Sequence, residues 1–133
     1  MKKIASLFFG LALIAFIPTL AMAQMEGLKN TTPEERAEML TQMMQTELTL
    51  DEKATAAVSA INLKYAKETQ AVMDTSGTQF GKIMTFRKND KAKDEELKGV
   101  LDPQQYTLYE QRKAEMRETM KQKLKEKYQA PQS

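Results

Sequence analysis

From Pro103 to Tyr128 the chain carries no glycine and no further proline, and apolar residues recur at helical spacing: Tyr106, Tyr109, Met116, Met120, Leu124 and Tyr128. A run of this kind is one helix, and at 1.5 Å per residue it reaches about 39 Å. A compact domain of about 110 residues has a radius of gyration near 13 Å. The helix must therefore span or overhang a single copy and leave part of its apolar stripe uncovered. Its start is equally well marked. In "LDPQQY", Asp102 caps, Pro103 takes the first helical position, and Gln105 reaches back as the capping-box partner. Leu101 and Tyr106 flank the cap as a hydrophobic staple. Every residue of this stretch has a structural task, so it predicts a helix start and not an active site.

Earlier segments repeat the theme. "TPEE", Thr32–Glu35, predicts a helix with Leu40, Met43, Met44 and Leu48 on one face, ending near Leu48. Asp51 caps a second helix carrying Val58, Ile61, Tyr65 and Val72. "DTSGT", Asp74–Thr78, breaks the pattern, and a third helix runs from about Gln79 to Lys98 with Phe80, Ile83, Met84 and Leu97 as its apolar residues. No strand-like alternation occurs. The expected class is all-α: four helices in an open or elongated layout, with a second copy covering the long helix.

The first 23 residues read separately. Lys2 and Lys3 precede an apolar run to Leu20, and "AMA" at 21–23 matches the small-x-small pattern of a secretory leader. We expect cleavage after Ala23, no membrane insertion afterwards, a flexible lead-in over 24–31, one helical domain over 32–129 and a tail over 130–133. Without Lys2 and Lys3, 18 bases face 18 acids. The halves differ: residues 24–75 hold five bases and nine acids, residues 76–133 thirteen and nine. Such a dipolar chain pairs head to tail or offers a basic surface to an acidic partner.

Composition excludes several chemistries. The chain has no cysteine, histidine or tryptophan, which removes disulfides, the usual zinc and copper ligands and the commonest neutral-pH acid/base. No phosphate-binding glycine loop is present. We expect a non-catalytic protein with no metal and no cofactor. The basic run "KQKLKEKYQ", Lys121–Gln129, reads as a solvated helix face, and export keeps it away from nucleic acid. Leu, Ile, Val and Phe make up only 16 of the 110 residues after Ala23, and eight methionines fill much of the deficit. Methionine is flexible and polarisable, suited to irregular gaps and to surfaces that accept varied partners.

"LDPQQY" has a counterpart in "LDEKAT", Leu50–Thr55. A leucine, a capping residue, two variable positions and a glutamine, occurring twice in a small helical chain, resembles the Spy/CpxP family and its repeated LTXXQ motif. "INLKYAKE" and "YTLYEQRKAEMRE" resemble that family's helices, and the likeness covers roughly residues 33–125. Aspartate replaces the motif's threonine in both copies, and Ala54 stands where the first copy would have glutamine. The cap residues carried over are Leu50, Asp51, Leu101, Asp102, Gln105 and Tyr106.

The resemblance implies four helices in an elongated, curved hairpin-like arrangement that forms an antiparallel dimer in the periplasm. It also implies an ATP-independent chaperone of the envelope stress response that holds unfolded envelope proteins on a concave surface. The alternatives are a regulatory partner docking on one sensor-kinase domain, and a structural helical protein of the envelope. Metal-binding relatives are not matched here, because histidine and cysteine are missing. The candidate contacts are Met39, Met43, Met44, Phe80, Met84 and Phe86, with Lys82 and Arg87 for electrostatic steering.

Overall fold

The computed structural model describes residues 30–129. The expected leader, its cleavage point after Ala23, most of the lead-in and the tail at 130–133 lie outside the described residues. Four helices follow in order: α1 (Pro33–Leu48), α2 (Glu52–Asp74), α3 (Gln79–Val100) and α4 (Pro103–Gln129). No strand occurs among the described residues. The domain is all-α.

Each boundary has a local cause. At the end of α1, Thr49 adopts a left-handed φ of 52°, and the Leu50 N–H donates to the Gln45 carbonyl at 3.1 Å. This is the six-residue bond of a Schellman closure, formed here without the usual glycine. Two residues later the Asp51 carboxylate accepts from the Ala54 N–H at 2.7 Å and starts α2. Thr78 starts α3 by accepting from the Gly81 N–H at 3.1 Å, a cap that the sequence reading did not single out. At α4 the capping box is reciprocal. Asp102 Oδ1 accepts from the Gln105 N–H at 2.7 Å, and Gln105 Oε1 accepts from the Asp102 N–H at 3.1 Å. Gln105 also donates through Nε2 to the Leu48 carbonyl at 3.4 Å. One side chain thus caps α4 and satisfies an otherwise open carbonyl at the end of α1.

Packing is unequal. α2 lies against both α1 and α3, whereas α4 touches α1 and α3 only lightly. Contacts run in opposite order along neighbouring helices. Arg36 donates to Gln70 at 2.7 Å and Asn62 to Thr41 at 3.0 Å across α1 and α2. Tyr65 donates to Glu96 at 2.7 Å and Lys82 to the Met73 carbonyl at 3.1 Å across α2 and α3.

Both leucine–aspartate turns meet one apolar cluster, made of Met44, Leu48, Leu50, Val58, Ile61, Tyr65, Leu97 and Leu101. Leu40, Ala54, Val100, Tyr106, Leu108 and Tyr109 pack around it half-buried. Ala54, which replaces the motif's glutamine, is therefore used for packing rather than for capping. Asn62 is fully buried beside this cluster, its amide shared between Thr41 Oγ1 and, at 3.6 Å, Met44 Sδ. This buried hydrogen bond favours one register of α1 and α2, because a slip would strand the Asn62 Nδ2 as its Oδ1 already is.

Two substitutions test this account. Leu97 is completely buried, so Leu97→Ala removes its contacts and leaves a cavity, at an expected loss of about 3 kcal/mol in urea denaturation followed by circular dichroism. Thr49→Gly relieves a β-branched residue in the left-handed region. We expect a gain of about 0.5–1 kcal/mol after the extra freedom of glycine in the unfolded chain is offset.

Candidate interaction surface

Since the core gathers around the two leucine–aspartate turns, the far halves of α3 and α4 have little apolar material to pack against. What joins them is polar. Asp94 accepts from the Tyr109 hydroxyl at 2.8 Å and from Lys113 Nζ at 2.6 and 2.7 Å. Asp90 pairs with Lys113 at 2.8 Å and with Arg117 at 2.8 Å. The ladder climbs one turn of each helix at a time, with Lys113 bridging both carboxylates. Lys113 and Asp94 are mostly covered, while Arg117 is exposed.

Electrostatics at this joint are uneven. Lys93 sits half-buried beside it, and desolvation, aided by the charge on Lys113, pushes its ammonium down to about 8 despite the nearby Asp90 and Asp94. Burial, the hydrogen bond to Asp94 and the nearby carboxylates push the Tyr109 phenol well above its ordinary range. Glu47 on α1 lies 3.9 Å from Arg112 of α4. Burial raises its carboxyl more than Arg112 lowers it.

Beyond the ladder both helices show apolar side chains to solvent. On α3 these are Phe80 (73% exposed), Ile83 and Met84; on α4 they are Met116, Met120, Leu124 and Tyr128 (83% exposed). Met73 at the end of α2 adds to the set. Two helical turns past the Asp90–Arg117 pair, the same register sets Ile83 level with Leu124. The surroundings are basic: residues 79–93 hold five bases and one acid, and residues 113–129 hold six bases and three acids. On α4 Glu115, Glu118, Gln122 and Glu126 share one side, leaving the methionines and Leu124 on the other.

The residues expected to make contacts fall into two groups. Phe80, Lys82, Met84, Phe86 and Arg87 lie together on the first turns of α3. Phe80, Met84 and Arg87 are exposed there, and Phe86 and Lys82 are half-buried. The Lys82 ammonium is engaged by the Met73 carbonyl. Met39 and Met43 sit half-buried on α1, which packs on α2 and touches the start of α4. Met44 is a correction. It is buried at 4% exposure within the core cluster, because the cluster needs its volume between Leu48 and Asn62, so it cannot meet a partner in the folded chain.

The cap residues Leu50, Asp51, Leu101, Asp102, Gln105 and Tyr106 all serve the helix starts and the core. Sequence reasoning did not single out the Asp90–Asp94–Lys113–Arg117 ladder. Its only trace is the i, i+4 spacing of the acids on α3 and of the bases on α4. Among the described residues, no group of three or more acidic, histidine or cysteine side chains could hold a metal ion. No helix there is long and apolar enough to cross a membrane.

A family model described as a domain of unknown function (DUF4890) matches residues 21–132. No curated protein and no solved structure matches the chain.

The state of Lys93 gives the joint a pH signature. Its folded value of about 8 lies below the ordinary 10.5. Between those two values the unfolded chain binds a proton that the folded chain has released, so stability rises with pH across that window. Raised Tyr109 acts oppositely, favouring the folded state until the phenol of the unfolded chain ionises near pH 10. Denaturant midpoints should therefore climb from pH 8 to about 9.5. Lys93→Met should flatten the climb and raise the midpoint at pH 7.

Proposed function

We propose that this chain, which belongs to the DUF4890 family of domains of unknown function, is an ATP-independent holdase of the bacterial envelope. It would be exported by its N-terminal leader and would act in the periplasm on unfolded envelope proteins. One observation carries the reading. Large apolar side chains stand exposed on two basic helices, away from a core that is complete without them. A contiguous exposed apolar surface rimmed by polar groups marks an interaction site. The residues that form it suit adaptable contacts: Met84, Met116 and Met120 conform to varied shapes, and Phe80 and Tyr128 present broad rings. The bases around them raise the encounter rate with acidic segments and add little once contact is made.

The resemblance of the two leucine–aspartate starts to the LTXXQ motif supports the same class of protein. So does the absence from the sequence of a phosphate-binding glycine loop, since release would then be passive. Met44 is withdrawn from the contact set and Ile83, Met116, Met120 and Leu124 join it. The reading includes a homodimer in which the acidic half of one copy meets the basic half of another.

Light scattering tests the proposal directly. Two unrelated proteins are unfolded and diluted with the purified chain in the absence of ATP. Suppression of both aggregations near equal molar amounts is the expected result. Phe80→Ser with Met84→Ser should weaken suppression several-fold and shift stability by less than about 0.5 kcal/mol, since both residues are exposed. A folded chain that suppresses neither aggregation overturns the holdase. Stoichiometric, salt-sensitive binding to a single folded sensor domain would establish the regulatory alternative instead.

A further inference from the structure

The seam between α3 and α4 is held by the ladder and little else. No residue of α4 is fully buried, and its apolar contact with the core ends at Tyr109. From there outward the ties to α3 are Asp94 with Lys113 and Asp90 with Lys113 and Arg117. Asp90 and Asp94 are the only acids between Gln79 and Asp94, against five bases there and six on the facing part of α4. Without these two carboxylates the helices would present like charge to each other along their outer halves. Three contact pairs at 2.6–2.8 Å therefore work against a diffuse repulsion.

We propose that Asp90 and Asp94 form a charge clasp that sets how far α4 stands from α3, and hence how widely the apolar seam is open. Neutralising the pair removes the attraction and adds two units of positive charge to a segment that is already basic. The groups facing the pair all push the same way once this happens. They are Lys113 and Arg117 from α4, Lys93 from α3 itself, and the Tyr109 hydroxyl, which would lose a charged acceptor. The outer half of α4 then swings outward about its anchored start, which Gln105, Arg112 and the tyrosine contacts keep on the core. Phe80, Ile83, Met116, Met120 and Leu124, already exposed with the clasp closed, then flank a wider gap. The clasp governs the surface assigned above to client binding, yet it exists as a property of the joint whether or not clients bind there.

Distance measurement by electron paramagnetic resonance decides the matter. The chain has no cysteine, so Thr85→Cys with Gln122→Cys supplies the only two labels. Both sites are exposed and stand level across the seam by the ladder's register. The protein is used as the cell processes it. At pH 7 we expect one narrow distance. In Asp90→Asn with Asp94→Asn the distance at pH 7 should lengthen by about one helix diameter, roughly 10 Å, and broaden. Asp90→Glu with Asp94→Glu should restore a narrow distribution. An unchanged distance in the double asparagine variant, with its helix content intact by circular dichroism, overturns the clasp. Should that variant lose its helices, the single Asp90→Asn, which removes the pairs to both Lys113 and Arg117, decides by the same criterion: retained helix with an unchanged distance overturns the proposal. Because no client is present, this result is independent of the aggregation assay.

Discussion

The fold hangs on one small apolar cluster placed where two helix turns converge. Val58 and Leu97 are fully enclosed there, and Leu50 and Leu101 reach it from the residue before each aspartate cap. A chain with so few aliphatic residues cannot build a second centre of this kind, so it must bring its elements to a common one. The turns do this by joining capping to burial: the same three-residue unit that starts a helix also inserts a leucine. Gln105 adds a further tie, since it completes its own cap and donates to the end of α1. Disturbing one turn would loosen the other through the shared cluster.

Distance from that cluster explains the rest of the molecule. Near it, α1, α2 and α3 pack through apolar side chains with a single buried amide between α1 and α2. Further out, apolar contact gives way to ion pairs and hydrogen bonds. Such pairs hold less strongly than buried apolar contacts when they are exposed, because water and salt compete for each partner. The outer halves of α3 and α4 are thus the least tightly held part of the domain, and the part with the most exposed apolar surface. Both properties follow from one shortage of core-forming residues. Regions of low local stability are where binding surfaces and moving elements are found.

Much of this could be read in advance, for identifiable reasons. The "LDPQQY" start is local chemistry: a cap, a proline and a glutamine at fixed offsets form the same bonds in any fold, and the observed box has those bonds. The lengths of α2 and α4 came through for a related reason, since neither carries a glycine, or a proline past the first position, that would offer a competing structure. Thr49 was not foreseen, because threonine carries no preference for a left-handed φ and only the surrounding closure imposes it. Met44 was misjudged as a surface contact. Periodicity places it and Met43 on one apolar stripe, and only the arrival of Asn62 and the α2 face decides which of the two is buried.

What the sequence determined by itself was the set of elements: an all-α domain of four helices, their caps, and a long final helix with more apolar stripe than one copy can cover. Those properties rest on interactions within a few residues, and spacing alone encodes them. Tertiary structure decided which stripe residues meet the core and which meet solvent. It also brought Asp90 and Asp94 to the bases of α4 and made Lys93 a weakly basic group between them. Such outcomes depend on how helices distant in sequence align. Alignment is set by the few residues that fill the shared core, and the pattern of any one helix does not contain it.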